Sequence, residues 1–332
     1  MRSNIIASHF KSLHSDVDIH FVLSEQAPYK HDCQFPVHLT PSSPTNCTDE
    51  VNQIIDKLKP DIVIFDAAGR GQQMKHAMNT GAKVVFISQH PKKRAKGLML
   101  SRLPFITQHW IAQPEFAMPA LSIWERVKLA LYRKPLPTYL GCLYQQPSLT
   151  EEKTTLASFG LDENDYVLLS AGSGGHTLDG QPASVVFSDI AIKVSRELKL
   201  KCIVVLGSSF TGTVPANTAS VYFVKKLENN SFIALLANCR FALLSGGGSL
   251  LQGISMKKMV VTTPVAKDQP ARIRACEKEQ LVLSAEPNSR DIYAAVQQIL
   301  QPETNLALNN ALTKCSLTNG IGQTEKLLSG LL

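Results

Sequence analysis

Short apolar runs recurring along the chain constrain its fold more than any other feature. Asp61-Ile-Val-Ile-Phe65, Lys83-Val-Val-Phe-Ile87, Tyr166-Val-Leu-Leu-Ser170, Lys201 to Leu206, Phe241-Ala-Leu-Leu244 and Met259-Val-Val-Thr-Thr263 each have strand length and little polar alternation. A strand without alternation is buried on both faces, as in a parallel sheet covered by helices. Helical patterns separate these runs. Met1 to Leu13 places Ile5, Ile6, Phe10 and Leu13 on one face, a second helix ends at Leu58 before Pro60, and Gln72 to Thr80 closes at Gly81. Later helices are expected at Ser184 to Leu198, Ser231 to Ala237, Ser249 to Ser255 and Gln269 to Glu279. With further strands at Asp18 to Leu23, Gln108 to Ala112 and Val221 to Val224, the chain reads as α/β, built from βαβ units.

The alternation comes in two series, and 332 residues suit two domains better than one core. The expected division is an N-terminal Rossmann-like domain over 1–137, a linker over 138–164 marked by Pro147, and a second Rossmann-like domain over 165–304. A helical segment over 305–332 is expected to return to the first domain, and a ligand cleft is expected between the two. One feature breaks the pattern. A Rossmann half opens with strand, tight turn and helix, whereas Met1 already sits in a helix. The expectation is therefore an N-terminal domain lacking its first strand, with a gap or exposed slot in its sheet.

Composition excludes several classes. At 44% hydrophobic and 18% charged residues the chain is globular, and no apolar run approaches the ~20 residues that span a bilayer. No secretory signal pattern opens it, and its seven cysteines form no CxxC pair. Reduced thiols and a cytoplasmic location follow, with no zinc site or disulfide framework. Charge is more informative. Residues 90–134 carry nine basic and two acidic side chains, which equals the net +7 of the whole chain. An anionic partner is expected there.

Two small-residue loops follow strands in the second series. Ser170-Ala-Gly-Ser-Gly-Gly-His-Thr177 allows close backbone approach and can aim amides at an anion, or it is a flexible turn. Ser245-Gly-Gly-Gly-Ser249 opens a helix, whose N–H groups and positive dipole end suit a phosphate, or it is a tight packing turn. Two such loops at carboxyl ends of strands in one α/β domain favour nucleotide binding. Neither ends in GK[ST], so P-loop hydrolysis of ATP is disfavoured.

The order of these motifs resembles the C-terminal, donor-binding domain of GT-B glycosyltransferases. The nearest likeness is to the MurG-type UDP-N-acetylglucosamine transferases and to the sugar-nucleotide hydrolases of pseudaminic acid synthesis. It rests on Ser170 to Gly175, Leu227 before Ser231-Phe-Ile-Ala-Leu-Leu-Ala-Asn238, Leu244 to Ser249, Met259 to Pro264, Lys267-Asp-Gln269, and the closing Asn319-Gly-Ile-Gly-Gln-Thr-Glu-Lys-Leu-Leu328. The resemblance implies a diphosphate against Gly172, Ser173 and Gly174 and against Gly246, Gly247, Gly248 and Ser249. It implies uracil near Leu227, and Asp268 and Gln269 facing the donor sugar. Gln252 stands where relatives carry a ribose-binding Glu, and Arg274 where an Asn is common. His176 borders the donor loop.

An inverting transfer needs a base on the acceptor side and stabilisation of the leaving diphosphate. Asp66 and His90, just past strand ends, are the candidate bases; Asp66 could equally be a turn residue and His90 a loop residue. Lys92, Lys93, Arg94, Lys96 and Arg102 form the candidate surface for an acceptor or an anion. Ile123, Trp124, Val127, Leu131 and Tyr132 recur at helical spacing among Arg126, Lys128, Arg133 and Lys134. That pattern fits either a helix lying on an anionic membrane's inner face or an ordinary core-facing helix. No nucleic-acid module signature is present. The resulting expectation is a metal-independent, inverting hexosyltransferase taking a UDP-linked sugar as substrate, with no cofactor. It would act on a glycan or lipid-linked acceptor in cell-envelope or surface-glycan synthesis. A nucleotide-sugar hydrolase or epimerase, or a non-catalytic nucleotide-sugar-binding subunit, are the alternatives.

Overall fold

Each unbroken apolar run becomes a strand of a parallel sheet. The computed structural model describes residues 2–27, 30 and 33–332, which fall into two units, Met1–Leu143 with Asn319–Leu332 and Tyr144–Thr318. The first boundary thus lies beyond the 137 expected from the prolines, because Thr138 and Tyr139 still pair in the first unit's sheet.

The first unit runs α1 (Arg2–Leu13), β1 (Phe21–Ser24), β2 (Val37–Thr40), α2 (Thr48–Leu58), β3 (Ile62–Asp66) and α3 (Gly71–Asn79). It continues through β4 (Lys83–Ser88), α4 (Pro91–Gly97), β5 (Gln108–Ile111), α5 (Ile123–Leu131) and β6 (Thr138–Tyr139). The second unit holds α6 (Leu149–Ser158), β7 (Tyr166–Ser170), β8 (Thr177–Leu178), β9 (Gln181–Pro182), α7 (Ala183–Leu198), β10 (Lys201–Val205) and β11 (Val221–Val224). Next come α8 (Asn229–Asn238), β12 (Phe241–Ser245), α9 (Gly248–Ser255), β13 (Val260–Thr263), α10 (Gln269–Lys278), β14 (Leu283–Ser284), α11 (Ser289–Ile299) and α12 (Pro302–Lys314). The last helix, α13 (Ile321–Ser329), belongs to the first unit, whereas α12 stays in the second.

Strands β3-β4-β5-β6 form one parallel sheet and β1-β2 a separate parallel pair. Among the described residues β1 pairs only with β2 and β3 only with β4, so the two sheets of this unit are separate. This leaves β3 open: Ile64 is 37% exposed, while Val84 to Ile87 of β4 are fully buried. Met1, expected in the first helix, lies outside the described residues. β1 begins at Phe21 rather than Asp18, and β2 falls in a segment that reads as a Pro- and Ser-rich loop.

Helices α1 and α13 cover one face of this sheet. Ile6 and Phe10 of α1 and Ile321 and Leu328 of α13 share a core cluster with Val85, Ile87 and Trp110 of the strands. His14 and Glu325 join the two helices at 3.1 Å. The turn before α13 demands glycine: a Cβ on Gly320 would lie 1.9 Å from the Leu140 carbonyl oxygen. On the other face His109 is buried, its Nε2 2.9 Å from Ser88 Oγ. Burial pushes its pKa down to about 4, with the Arg94 charge adding in the same direction.

In the second unit all six long-sheet strands are parallel, in the order β11-β10-β7-β12-β13-β14. Renumbered within the unit this is 3-2-1-4-5-6, the dinucleotide-fold order, with the reversal between β7 and β12. Tyr166 to Ser170 and Phe241 to Ser245 are buried along their whole length, as central strands must be. The seven cysteines are unpaired, and burial pushes the thiols of Cys202, Cys239 and Cys276 up to about 12.

His109 makes stability pH-dependent. The unfolded chain takes up a proton near pH 6.5, the folded chain only near 4. Its contribution is therefore complete above pH 6.5 and lost as pH falls towards 4, on the order of 3 kcal/mol in all. His109→Gln should flatten the slope of unfolding free energy against pH across that window in urea titrations. An unchanged slope would refute the assignment.

Candidate functional site

The two small-residue loops leave neighbouring parallel strands at the same end of one sheet. β7 and β12 pair with Leu244 opposite Ser170, so Ala171 to Gly175 and Gly246 to Ser249 emerge side by side. A methyl placed on Gly172 would lie 3.3 Å from Ser245 Oγ, which measures how closely they approach. This is the switch point of the sheet, where crossovers to either side leave a crevice.

A third loop that sequence reasoning missed completes the cluster. Leu206 to Phe210, after β10, packs onto the first loop: Ser209 N–H donates to the Ser173 carbonyl at 2.7 Å. A Cβ on Gly207 would lie 2.2 Å from the Ser173 carbonyl carbon, and one on Gly174 2.5 Å from the Leu206 oxygen. Both glycines have positive φ, 101° and 87°, so the approach and the turn each require them. The signal was present in Leu206-Gly-Ser-Ser-Phe210, a glycine directly after an apolar strand. Past the first loop, β8 and β9 form a hairpin where the sequence suggested a run straight into the helix. Its turn, Asp179-Gly180, has φ of 55° and 79° and is the Asp-Gly type that two-residue hairpins favour.

Local hydrogen bonds correct the expected diphosphate contacts. The Gly246 amide donates to Gln269 Oε1 at 3.2 Å and the Gly247 amide to the Ser245 carbonyl at 2.7 Å. Neither is aimed at a ligand. The donors left at this loop are those of the first turn of α9, Gly248 and Ser249, which lie outside the intrahelical ladder. Gly248 is exposed and Ser249 half-buried. Gln269, expected to face a sugar, is buried, and its carbonyl also accepts from the Val265 amide at 2.8 Å. It ties the loops after β12 and β13 together. Asp268 is exposed at the start of α10 with no capping bond, and Gln252 is half-buried on α9. Arg274 is exposed, whereas Arg272, two residues earlier, turns its guanidinium onto the Gly246 carbonyl. Arg272 is thus the cation at the glycine loop. Ser173 and His176 are exposed and Leu227 half-buried, on loops that leave the same ends of β7 and β11.

In the first unit, Asp66 is the last residue of β3, paired with Ile87, rather than just past the strand, and His90 lies past the end of the neighbouring β4. Asp66 is committed: it accepts from Arg2, and from Ser3 Oγ at 2.7 Å, while Arg2 also donates to Gln89 Oε1 at 2.8 Å. These bonds fasten the start of α1 to the ends of two strands, so Asp66 is a poor candidate base. His90 caps α4 with extended backbone. The expected cationic surface is also smaller than the sequence suggested. Arg94 is 4% exposed, paired with Glu125 at 3.2 Å and donating to the carbonyls of Pro119 and Ala120. Lys93 Nζ donates to the Ala67 carbonyl at 2.8 Å, and Arg102 is half-buried, its pKa lowered by desolvation and by nearby Arg70. Lys92 and Lys96 remain exposed. Among the described residues no group of three or more His, Cys, Asp or Glu side chains is arranged to hold a metal. No helix among them is long and apolar enough to cross a membrane.

No protein-family model matches the chain, and no curated protein matches it. Solved structures do. The glycotransferase of kitacinnamycin is 12% identical with a TM-score of 0.66, over 100% of this chain and 95% of that one. The glycosyltransferase SnogD from Streptomyces nogalater is 12% identical with a TM-score of 0.64, over 100% and 95%. UDP-GlcNAc 2-epimerase from Neisseria meningitidis, solved bound to UDP-GlcNAc, is 12% identical with a TM-score of 0.60, over 100% and 97%. The likeness spans both units, and the chain has the GT-B fold of two Rossmann-like domains.

Proposed function

We propose that the chain is a glycosyltransferase that takes a nucleotide sugar, UDP-linked, and passes the sugar to an acceptor hydroxyl. The observation that carries this is the convergence of the Gly172–Gly174 loop and the α9 N-terminus at one switch point. Amides of Gly248 and Ser249, the positive end of α9 and the guanidinium of Arg272 suit the two phosphates of the donor. In the reaction the acceptor oxygen forms a bond to the anomeric carbon as the bond from that carbon to the diphosphate oxygen breaks. The same donors then hold the charge that develops on the leaving diphosphate. The acceptor proton needs a base, for which His90 and Asp66 are the candidates; Asp66 also accepts hydrogen bonds from Arg2 and Ser3. Epimerisation of a nucleotide sugar is the second reading, favoured by the similarity to the Neisseria meningitidis epimerase. It uses the same diphosphate site and differs in releasing an isomerised sugar rather than a glycosylated acceptor.

A panel of nucleoside diphosphates and nucleotide sugars, read by thermal shift, tests the site. Uridine diphosphates should raise Tm by RT ln(1 + [L]/Kd) converted through the unfolding entropy. Stabilisation by another base and not by uridine would overturn the UDP assignment, and none by any diphosphate would overturn the site.

Gly248→Pro isolates the amide contribution. Gly247 before it is extended at φ −82° and ψ −157°, and the space around the Gly248 Cβ position is open. Proline is tolerated at a first helical position, so the fold should hold while one N–H is lost. Diphosphate binding should weaken roughly ten-fold or more, as expected for a hydrogen bond to a charged group. Gly248→Ala, which keeps the N–H, should bind normally; equal weakening in both variants would point to crowding instead. Arg272→Gln should likewise weaken diphosphate more than uridine, and an identical effect on both would remove Arg272 from the phosphate site.

A further inference from the structure

Helix α5 presents an apolar face outward. Ile123, Trp124, Val127 and Leu131 are 78%, 75%, 48% and 74% exposed, while Leu129 is 2% exposed and packs with Leu98 and Leu103. At about 100° per residue the four exposed side chains fall in one arc about 100° wide, opposite Leu129. Arg126 borders that arc on one side and Lys128 on the other. Arg133, exposed, and Lys134, half-buried, follow one residue after the helix. The carboxylate on this helix, Glu125, is engaged by Arg94 and by the Ser122 amide at 2.8 Å, so it does not offset these cations outward. Ser122 and Glu125 form a reciprocal cap that holds the helix start in place.

We propose that α5 docks the protein on an anionic lipid bilayer, with Ile123, Trp124, Val127 and Leu131 entering the interface and the basic residues contacting lipid phosphates. An interfacial helix needs an apolar arc, an aromatic residue and flanking cations, and α5 supplies all three. Charge selects this occupant over a second copy of the chain. Two such faces brought together would set Arg126, Lys128, Arg133 and Lys134 against their own kind. The inference uses no residue of the nucleotide site and stands or falls separately from the glycosyl-transfer reading.

Trp124 provides the readout, because the chain's other tryptophan, Trp110, is fully buried. Co-sedimentation with phosphatidylcholine vesicles containing phosphatidylglycerol, run beside pure phosphatidylcholine, should show binding only to the anionic set, with a blue shift of tryptophan emission. Binding should weaken with salt. Ile123→Ser with Trp124→Ser and Leu131→Ser, and separately Arg126→Glu with Lys128→Glu, should each lower partitioning at least ten-fold. Leu149→Ser on α6, a similarly exposed position at 76%, should leave it unchanged. No binding to anionic vesicles, equal binding to both sets, or unaltered binding by the triple variant would overturn the proposal. So would a concentration-dependent dimer in sedimentation velocity that the triple variant abolishes, since that would give the face to a second copy.

Discussion

The pairing of β7 with β12 is the constraint on which the second unit depends. These strands are consecutive neighbours in space but are separated in sequence by two strands and two helices, counting neither β8 nor β9. The connections on either side therefore leave in opposite directions, and the loops at their ends have no helix filling the space between. Placing two backbones that close requires residues without bulk. Gly174 and Gly207 accept contacts that a Cβ would forbid, and Gly246 presses against Ile273, where a Cβ would lie 2.7 Å from a side-chain carbon. The glycines therefore serve packing and ligand approach at once. Gln269 holds the arrangement from below, since one side-chain oxygen satisfies the buried Gly246 amide and the half-buried Val265 amide. A buried amide left without an acceptor costs about 1–3 kcal/mol, so this single residue fixes loop positions that sequence reasoning assigned to the ligand.

The net charge of the chain and its proposed anion site are in different places. Residues 138–332 hold 17 basic and 16 acidic side chains, close to neutral, yet they carry the loops proposed to bind a diphosphate. Helix-terminal amides explain how this works: their partial charges are fixed in orientation and need no counterion in the empty site. One arginine, Arg272, is anchored by the Gly246 carbonyl, so its charge is held at the loop rather than on a free side chain. The excess positive charge lies around α4 and α5 in the first unit, where Lys92, Lys96, Arg126 and Arg133 are exposed, Lys93, Arg102, Lys128 and Lys134 are half-buried and Arg94 is buried. Composition alone points to the first unit and says nothing of the loops proposed for the diphosphate.

Much of this was legible in the sequence, for a physical reason. Central parallel strands are buried on both faces, so they announce themselves as unbroken apolar runs, and β4, β7, β10, β12 and β13 all did, while β3 carries such a run at an open edge. Other edge pieces do not: Val37-His-Leu-Thr40 is short and half polar, and β14 is two residues long. The loops at β7 and β12 were visible as glycine clusters, but which amides they offer was not. That depends on the tight Gly247 to Ser245 turn and on a glutamine 23 residues downstream. Arg272 and Arg274 are indistinguishable in a list of basic residues; only the burial of Gln269, three positions before Arg272 on the same helix face, separates them. Arg94 misled for the same reason. It stands in a basic run, yet α4 turns it inward to Glu125 and two carbonyls.

The apolar face of α5 has no such explanation within the fold. Single exposed leucines are ordinary, and Leu149 is one. Four large apolar side chains on one arc of a nine-residue helix are a different case, because folding gains nothing from them. The helix is held by Leu129 beneath it and by the Ser122–Glu125 cap, and polar residues at 123, 124, 127 and 131 would leave both intact. Ile123, Trp124 and Leu131 keep about three quarters of their surface in water in the folded chain and Val127 about half, so much of their hydrophobic free energy remains available to a partner. In the proposed docking the flanking cations select the partner, since a layer of lipid phosphates complements them and an uncharged apolar protein surface does not.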